Sequence, residues 1–156
     1  MSSKYAIYVV PDQPEVLGPC ESISFGINWG GPHITISTFT IGNEKKIPPI
    51  LDYIKKEVNP RLSKQGSLWN PLHDVIKLDP YMYRFESDTL NQFSDFLRKH
   101  VENVKEHEFH IYNRLGVNPD ISLLGKTTWS LIMIKQTNQH VEWLTSTKVP
   151  LYCINT

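Results

Sequence analysis

Two short stretches of this 156-residue chain share a pattern that sets a proton-handling side chain beside a hydroxyl: Pro32-His33-Ile34-Thr35-Ile36-Ser37 and Pro119-Asp120-Ile121-Ser122-Leu123-Leu124. Each runs Pro, a titratable side chain, Ile, a hydroxyl residue and a further aliphatic, and the two lie 87 residues apart. In an extended strand alternate side chains share a face. His33 and Thr35 then point one way while Ile34 and Ile36 enter a core, and Asp120 and Ser122 do the same ahead of Ile121 and Leu123. Side by side in one sheet, the two strands form a small cup holding an imidazole, a carboxylate and two hydroxyls. An imidazole takes a proton from water or a ribose hydroxyl near neutral pH. Hydroxyls donate to phosphate oxygens, and Gly30-Gly31 ahead of His33 lets backbone approach a ligand closely.

The paired pattern resembles the 2H phosphoesterase (LigT-like) superfamily, whose signature is two His-x-Thr/Ser motifs on neighbouring strands. The resemblance covers the whole chain in element order. His33 and Thr35 complete the first motif, and Asp120 stands where the second His belongs. The resemblance implies an α+β fold, a two-lobed pseudo-symmetric antiparallel sheet with helices packed outside, in one domain over residues 1–156. It also implies phosphodiester hydrolysis with no metal or other cofactor: His33 as general base, Thr35 and Ser122 holding the phosphate, Asp120 as acid at the leaving oxygen. A carboxyl with an ordinary pKa of about 4 is ionised at neutrality, so that acid role requires burial or a bound anion to raise the value.

The compact length and the opening Tyr5-Ala6-Ile7-Tyr8-Val9-Val10-Pro11 resemble the short phage branch of the superfamily, which destroys cyclic-nucleotide alarm signals of bacterial immunity. The partner so implied is a small cyclic nucleotide or cyclic oligonucleotide. Two alternatives stay open: a catalytically lapsed protein that sequesters the same ligand, and an RNA 2′,3′-cyclic phosphodiesterase.

Other residues bear on the same cup. His110, in Phe109-His110-Ile111-Tyr112, lies 77 residues after His33 and is a second candidate for the missing imidazole, with Tyr112 replacing the hydroxyl residue. Tyr8 sits on a strand expected to line the cup, and Trp29 and Trp69 occupy Gly/Pro/Asn-rich loops, which makes them the least core-like tryptophans. Base stacking on such rings contributes about 1–3 kcal/mol per base. Lys126 and Arg84 are candidate phosphate partners, and His73 and His140 stand ahead of strands. Clustered cysteines, a His-Glu-x-x-His run and an Asp-rich loop are all missing from the sequence, so no metal site is expected.

Composition and periodicity supply the elements that must position these groups. Sixteen basic and sixteen acidic residues cancel, which argues against long nucleic acid as the partner. The two cysteines, Cys20 and Cys153, read as free thiols of a reducing compartment. The apolar run Tyr5 to Val10 is too short for a signal peptide or membrane span, so a soluble cytoplasmic protein is expected. That run reads as a buried strand, with a further short strand at 22–28 and the first motif strand after it. Ile47, Ile50, Leu51, Ile54 and Val58 recur at helical spacing, and Asn59-Pro60 should end that helix. An exposed loop over 64–71 precedes a hairpin of 73–78 and 81–86. A second helix should run from Ser87 or Asp88 through Leu90, Phe93, Leu97, Val101 and Val104. Strands near 130–135, 140–145 and 149–154 close the chain.

Overall fold

The computed structural model describes residues 3–17, 33–62, 69–73, 75–79, 82–106, 111–112, 121–136 and 141–151. Strand β1 (Ser3–Pro11) is rich in aromatic and β-branched residues, and strand β2 (His33–Ile41) follows it. Helix α1 (Ile47–Tyr53) carries Pro48 and Pro49 in its first turn, where the missing N–H groups would have had no partner. It passes through a π turn (Ile54–Val58) into α2 (Asn59–Leu62). Asn59-Pro60 therefore does not end the helix, contrary to expectation. The wide turn just before Pro60 is one way a helix carries a proline whose ring would otherwise strike the preceding turn. The Asn59 amide then donates to the Pro150 carbonyl at 2.8 Å, tying the helix end to the far end of the chain.

Strands β3 (Val75–Asp79) and β4 (Met82–Phe85) form the expected antiparallel hairpin, a sheet of its own. Helix α3 (Asp88–His100) starts at Ser87, whose hydroxyl accepts from the Leu90 N–H at 3.3 Å. It closes with Arg98 and Lys99, cations that suit a helix C-terminus, followed by His100. The helix stops short of the expected Val104 because Val101 is already extended, with φ −133° and ψ 169°. Strands β5 (Glu102–Glu106), β6 (Ile111–Tyr112), β7 (Trp129–Gln136), β8 (Val141–Trp143) and β9 (Val149–Pro150) complete the order.

Seven strands form one sheet in the order β5-β2-β1-β7-β8, with β6 also on β2 and β9 also on β7, and every described pairing is antiparallel. Ile7 and Val9 of β1, Ile34 and Ile36 of β2, and Leu131 and Met133 of β7 face the helices, where they meet Ile54 and Val58 below α1 and Phe93 and Leu97 of α3. The opposite face holds Ala6, Tyr8, Val10, His33, Thr35, Ser130 and Ile132.

A bulge decides which face the first motif occupies. Ser3 to Ile7 pair with Ile41 to Ser37 in one register, and at Tyr8 the register slips so that Tyr8 meets Thr35 and Val9 meets Ile34. In the original register Thr35 would have met Val9 on the helix side. A slip of one residue turns every later side chain over. Ile34 and Ile36 thus reach the core, while His33 and Thr35 are left beside Tyr8.

The second motif behaves differently. Ile121–Lys126 forms a short 3-10 segment rather than the expected strand. Leu124 is fully buried and its carbonyl accepts from the Trp129 indole N–H at 2.9 Å, whereas Ile121 and Ser122 are exposed. With about three residues per turn, side chains do not alternate between two faces as they do on a strand. That geometry satisfies Leu124 and leaves no alternating strand face for Ser122.

Candidate functional site

Three side chains meet at the mouth of β1 and β2. The Tyr8 and His33 rings stack with centroids 4.5 Å apart and planes 23° apart. Tyr8 also shares a side-chain hydrogen bond with Thr35, its cross-strand partner. Trp143 of β8 meets the Tyr8 ring edge-on at 6.3 Å and 79°. Burial raises the Tyr8 pKa above its ordinary value, and the Thr35 hydrogen bond opposes that only in part. Tyr8 therefore stays a neutral phenol around neutrality. Thr35 is largely buried, whereas His33 is half-buried and open to exchange with solvent.

Across β1 the counterpart of His33 is a hydroxyl. Val10 follows the Val9–Ile34 pair and on its other side pairs with Ser130, so His33 and Ser130 flank it at roughly 10 Å, two strand spacings. Ser130 donates to Asp12 Oδ1 at 2.9 Å, and the Thr128 hydroxyl donates to Asp12 Oδ2. Lys148 Nζ completes the cluster at 3.0 Å from Oδ1. Asp12 is thereby fixed in orientation by three donors. The backbone repeats the tie, with the Asp12 N–H donating to the Thr128 carbonyl at 2.8 Å.

Beside Asp12 opens a cavity of about 400 Å³. Asp12, Gln13 and Thr128 line it together with Trp69, Asn70, Gly125 and Lys126. A Cβ on Gly125 would lie 2.9 Å from Asn70 Nδ2, so only glycine lets the amide sit so close to the turn. Asn70 is further held by its Oδ1, which accepts from the Leu72 N–H at 3.0 Å.

Of the residues singled out from sequence, His33, Thr35 and Tyr8 come together. Lys126 lies exposed on the cavity rim. Trp69 also lines the cavity, but not as an exposed loop ring: it is 4% exposed and edge-on to Trp129 at 5.8 Å. Its N–H and the Leu151 carbonyl, 3.0 Å apart, draw it into the core. Ser122 stands exposed on the 3-10 segment rather than on a strand face of the cup. Asp120, Trp29 and His110 lie outside the described residues, as do His140 and the strand expected at 22–28. The residues directly after His110 do pair with the first motif strand, Ile111 with Ile34 and Tyr112 with His33.

Sequence reading missed Asp12, Asn70, Thr128 and Ser130. One signal was available: Thr128-Trp129-Ser130-Leu131 alternates hydroxyl and apolar residues as His33-Ile34-Thr35-Ile36 does. Among the described residues no three His, Cys, Asp or Glu side chains converge as metal ligands would, and no helix is long and apolar enough to cross a membrane. No protein-family model and no curated protein matches the chain.

Proposed function

We propose that the chain is a 2H-type phosphodiesterase acting on a small cyclic nucleotide or cyclic oligonucleotide at the mouth of β1 and β2. The observation that carries this reading is the His33–Tyr8–Thr35 cluster: a proton-accepting ring held in place by a stacked phenol, with hydroxyls beside it. Strands β2 and β7 run in the same direction on either side of β1, which supports the pseudo-symmetric 2H arrangement.

In this reading His33 removes the proton from a ribose 2′-hydroxyl or a water. The freed oxygen pair forms the new bond to phosphorus, the bond to the leaving oxygen breaks, and an acid returns a proton to that oxygen. The hydroxyls of Thr35 and Tyr8 stabilise charge on the non-bridging oxygens. Asp120 and His110 are the two candidates for the acid.

A second reading has its own observation. Ser130, rather than a second imidazole, flanks Val10 opposite His33, as suits a protein that holds its ligand without cleaving it. Incubation with cyclic mono-, di- and trinucleotides, with and without EDTA, followed by separation of products, tells the two apart. Linear products in both conditions are expected of the hydrolase. Intact ligand recovered after denaturation of the protein supports sequestration, and no binding to any of the panel overturns both.

A further inference from the structure

The cavity beside Asp12 is a built recess with its own chemistry. Its volume of about 400 Å³ falls inside the range of small-molecule sites, about 300–1,000 Å³. The recess opens at the same end of the sheet as His33, since Asp12 directly follows the strand end at which Val10 and Ser130 pair.

Asp12 is the acceptor in its wall. A carboxylate offers about four lone-pair sites. The Thr128 hydroxyl, the Ser130 hydroxyl and the Lys148 ammonium occupy three. One is left, on a group whose orientation is already fixed, and the side chain keeps 24% of its exposure. The Asn70 amide, packed over Gly125, lines the same recess, and its Nδ2 is a donor. Lys126 at the rim supplies a cation. An acceptor and a neutral donor in one recess match a flat group that shows a donor beside an acceptor, with an anion attached outside.

We propose that this cavity is a base-recognition pocket that takes an amine-bearing nucleobase of the adenine or cytosine kind. The exocyclic amine donates to the open lone pair of Asp12, the neighbouring ring nitrogen accepts from Asn70, and Lys126 meets a phosphate of the same ligand. Uracil presents a carbonyl where cytosine has its amine, which sets oxygen against carboxylate. The pocket rests on the nucleotide-binding reading above and adds to it the identity of the base.

Titration of the full chain with AMP, purine riboside 5′-monophosphate, CMP and UMP, followed by amide and indole N–H resonances, tests it. AMP and CMP should shift Gly125 and the Trp69 indole. Purine riboside monophosphate and UMP should bind at least about tenfold more weakly, as expected for one lost hydrogen bond to a charged group. Gly125→Ala, which drives a methyl into Asn70, should weaken AMP by a similar factor, and its folding is read from the same spectra. Equal binding of the matched pairs overturns the proposal, as do AMP shifts that leave Gly125 and Trp69 unmoved. The two readings fail separately. AMP seated here with no cyclic nucleotide cleaved leaves the pocket standing and removes the hydrolase, whereas cleavage without AMP at Gly125 removes the pocket alone.

Discussion

The Tyr8 ring lies flat on the His33 imidazole, 4.5 Å between centroids, and its hydroxyl is joined to Thr35, so one phenol holds both members of the first motif. Stacking restricts the imidazole's swing, and the shared hydrogen bond restricts the threonine rotamer. Both constraints come from cross-strand pairing that exists only because the register slips between Ile7 and Tyr8.

If the chain is the phosphodiesterase proposed above, replacing His33 by Ala should reduce its turnover by about 10²–10⁴-fold, the usual worth of a positioned general base. The fold should survive, because His33 sits half-exposed at a strand start. Steady-state kinetics beside a thermal melt measures both. Activity within about tenfold of the parent, only some 1.4 kcal/mol of barrier, removes His33 from the base role.

Tyr8 makes a prediction about alkaline pH. Its folded pKa is raised by burial, and that of Tyr5 is raised as well, again first by burial. In the unfolded chain both ionise near 10.0, the ordinary value. The native state binds more protons above that pH, so the associated stability is complete below 10 and is lost as pH rises towards the folded values. Phenolate absorbance should therefore show at least two of the seven tyrosines titrating late, and denaturant midpoints should fall above pH 10. Tyr8→Phe should flatten part of that fall. An unchanged slope in Tyr8→Phe would mean that Tyr8 ionises as freely folded as unfolded.

Much of the scaffold was legible in the sequence for local reasons. The hairpin of β3 and β4, the Ser87 cap and the apolar stripe of α3 depend on neighbours a few residues away. The bulge in β2 was not read, although the apolar phase moves from Ile34 and Ile36 to Phe39 and Ile41. The turn at Leu124 is local, its carbonyl taking the indole N–H of Trp129 five residues on, whereas other failures come from contacts far along the chain. Trp69 is buried because it meets Trp129 and Leu151. The Asp12 cluster joins residues more than a hundred positions apart, which no spacing rule reaches.

The buried hydroxyl pair Ser37–Ser94, 3.2 Å between oxygens, links β2 to α3 beside the bulge. Ser37 is fully buried and Ser94 nearly so. Either serine changed to Ala strands its partner and should cost about 1–3 kcal/mol. Changing both removes two polar groups together, so the double variant should cost clearly less than the sum. Denaturant unfolding of the four proteins gives the coupling, and strict additivity would show that the hydroxyls do not depend on one another.

Asp12 and Lys148 should differ sharply in their effect on stability although they form one ion pair. Lys148 is 43% exposed, and a pair so open to solvent contributes about 0–1 kcal/mol, so Lys148→Ala should barely move the melting temperature. Asp12→Ala leaves the Ser130 and Thr128 hydroxyls without their acceptor. Ser130 is buried, so the cost there is the desolvation of a stranded group, about 1–3 kcal/mol. Thr128 is exposed and recovers water. Asp12→Asn keeps one acceptor oxygen and should fall between the two. Equal losses for Asp12→Ala and Lys148→Ala would place the stabilisation in the ion pair, and the strand ends of β1 and β7 would then owe little to the hydroxyls that orient the carboxylate.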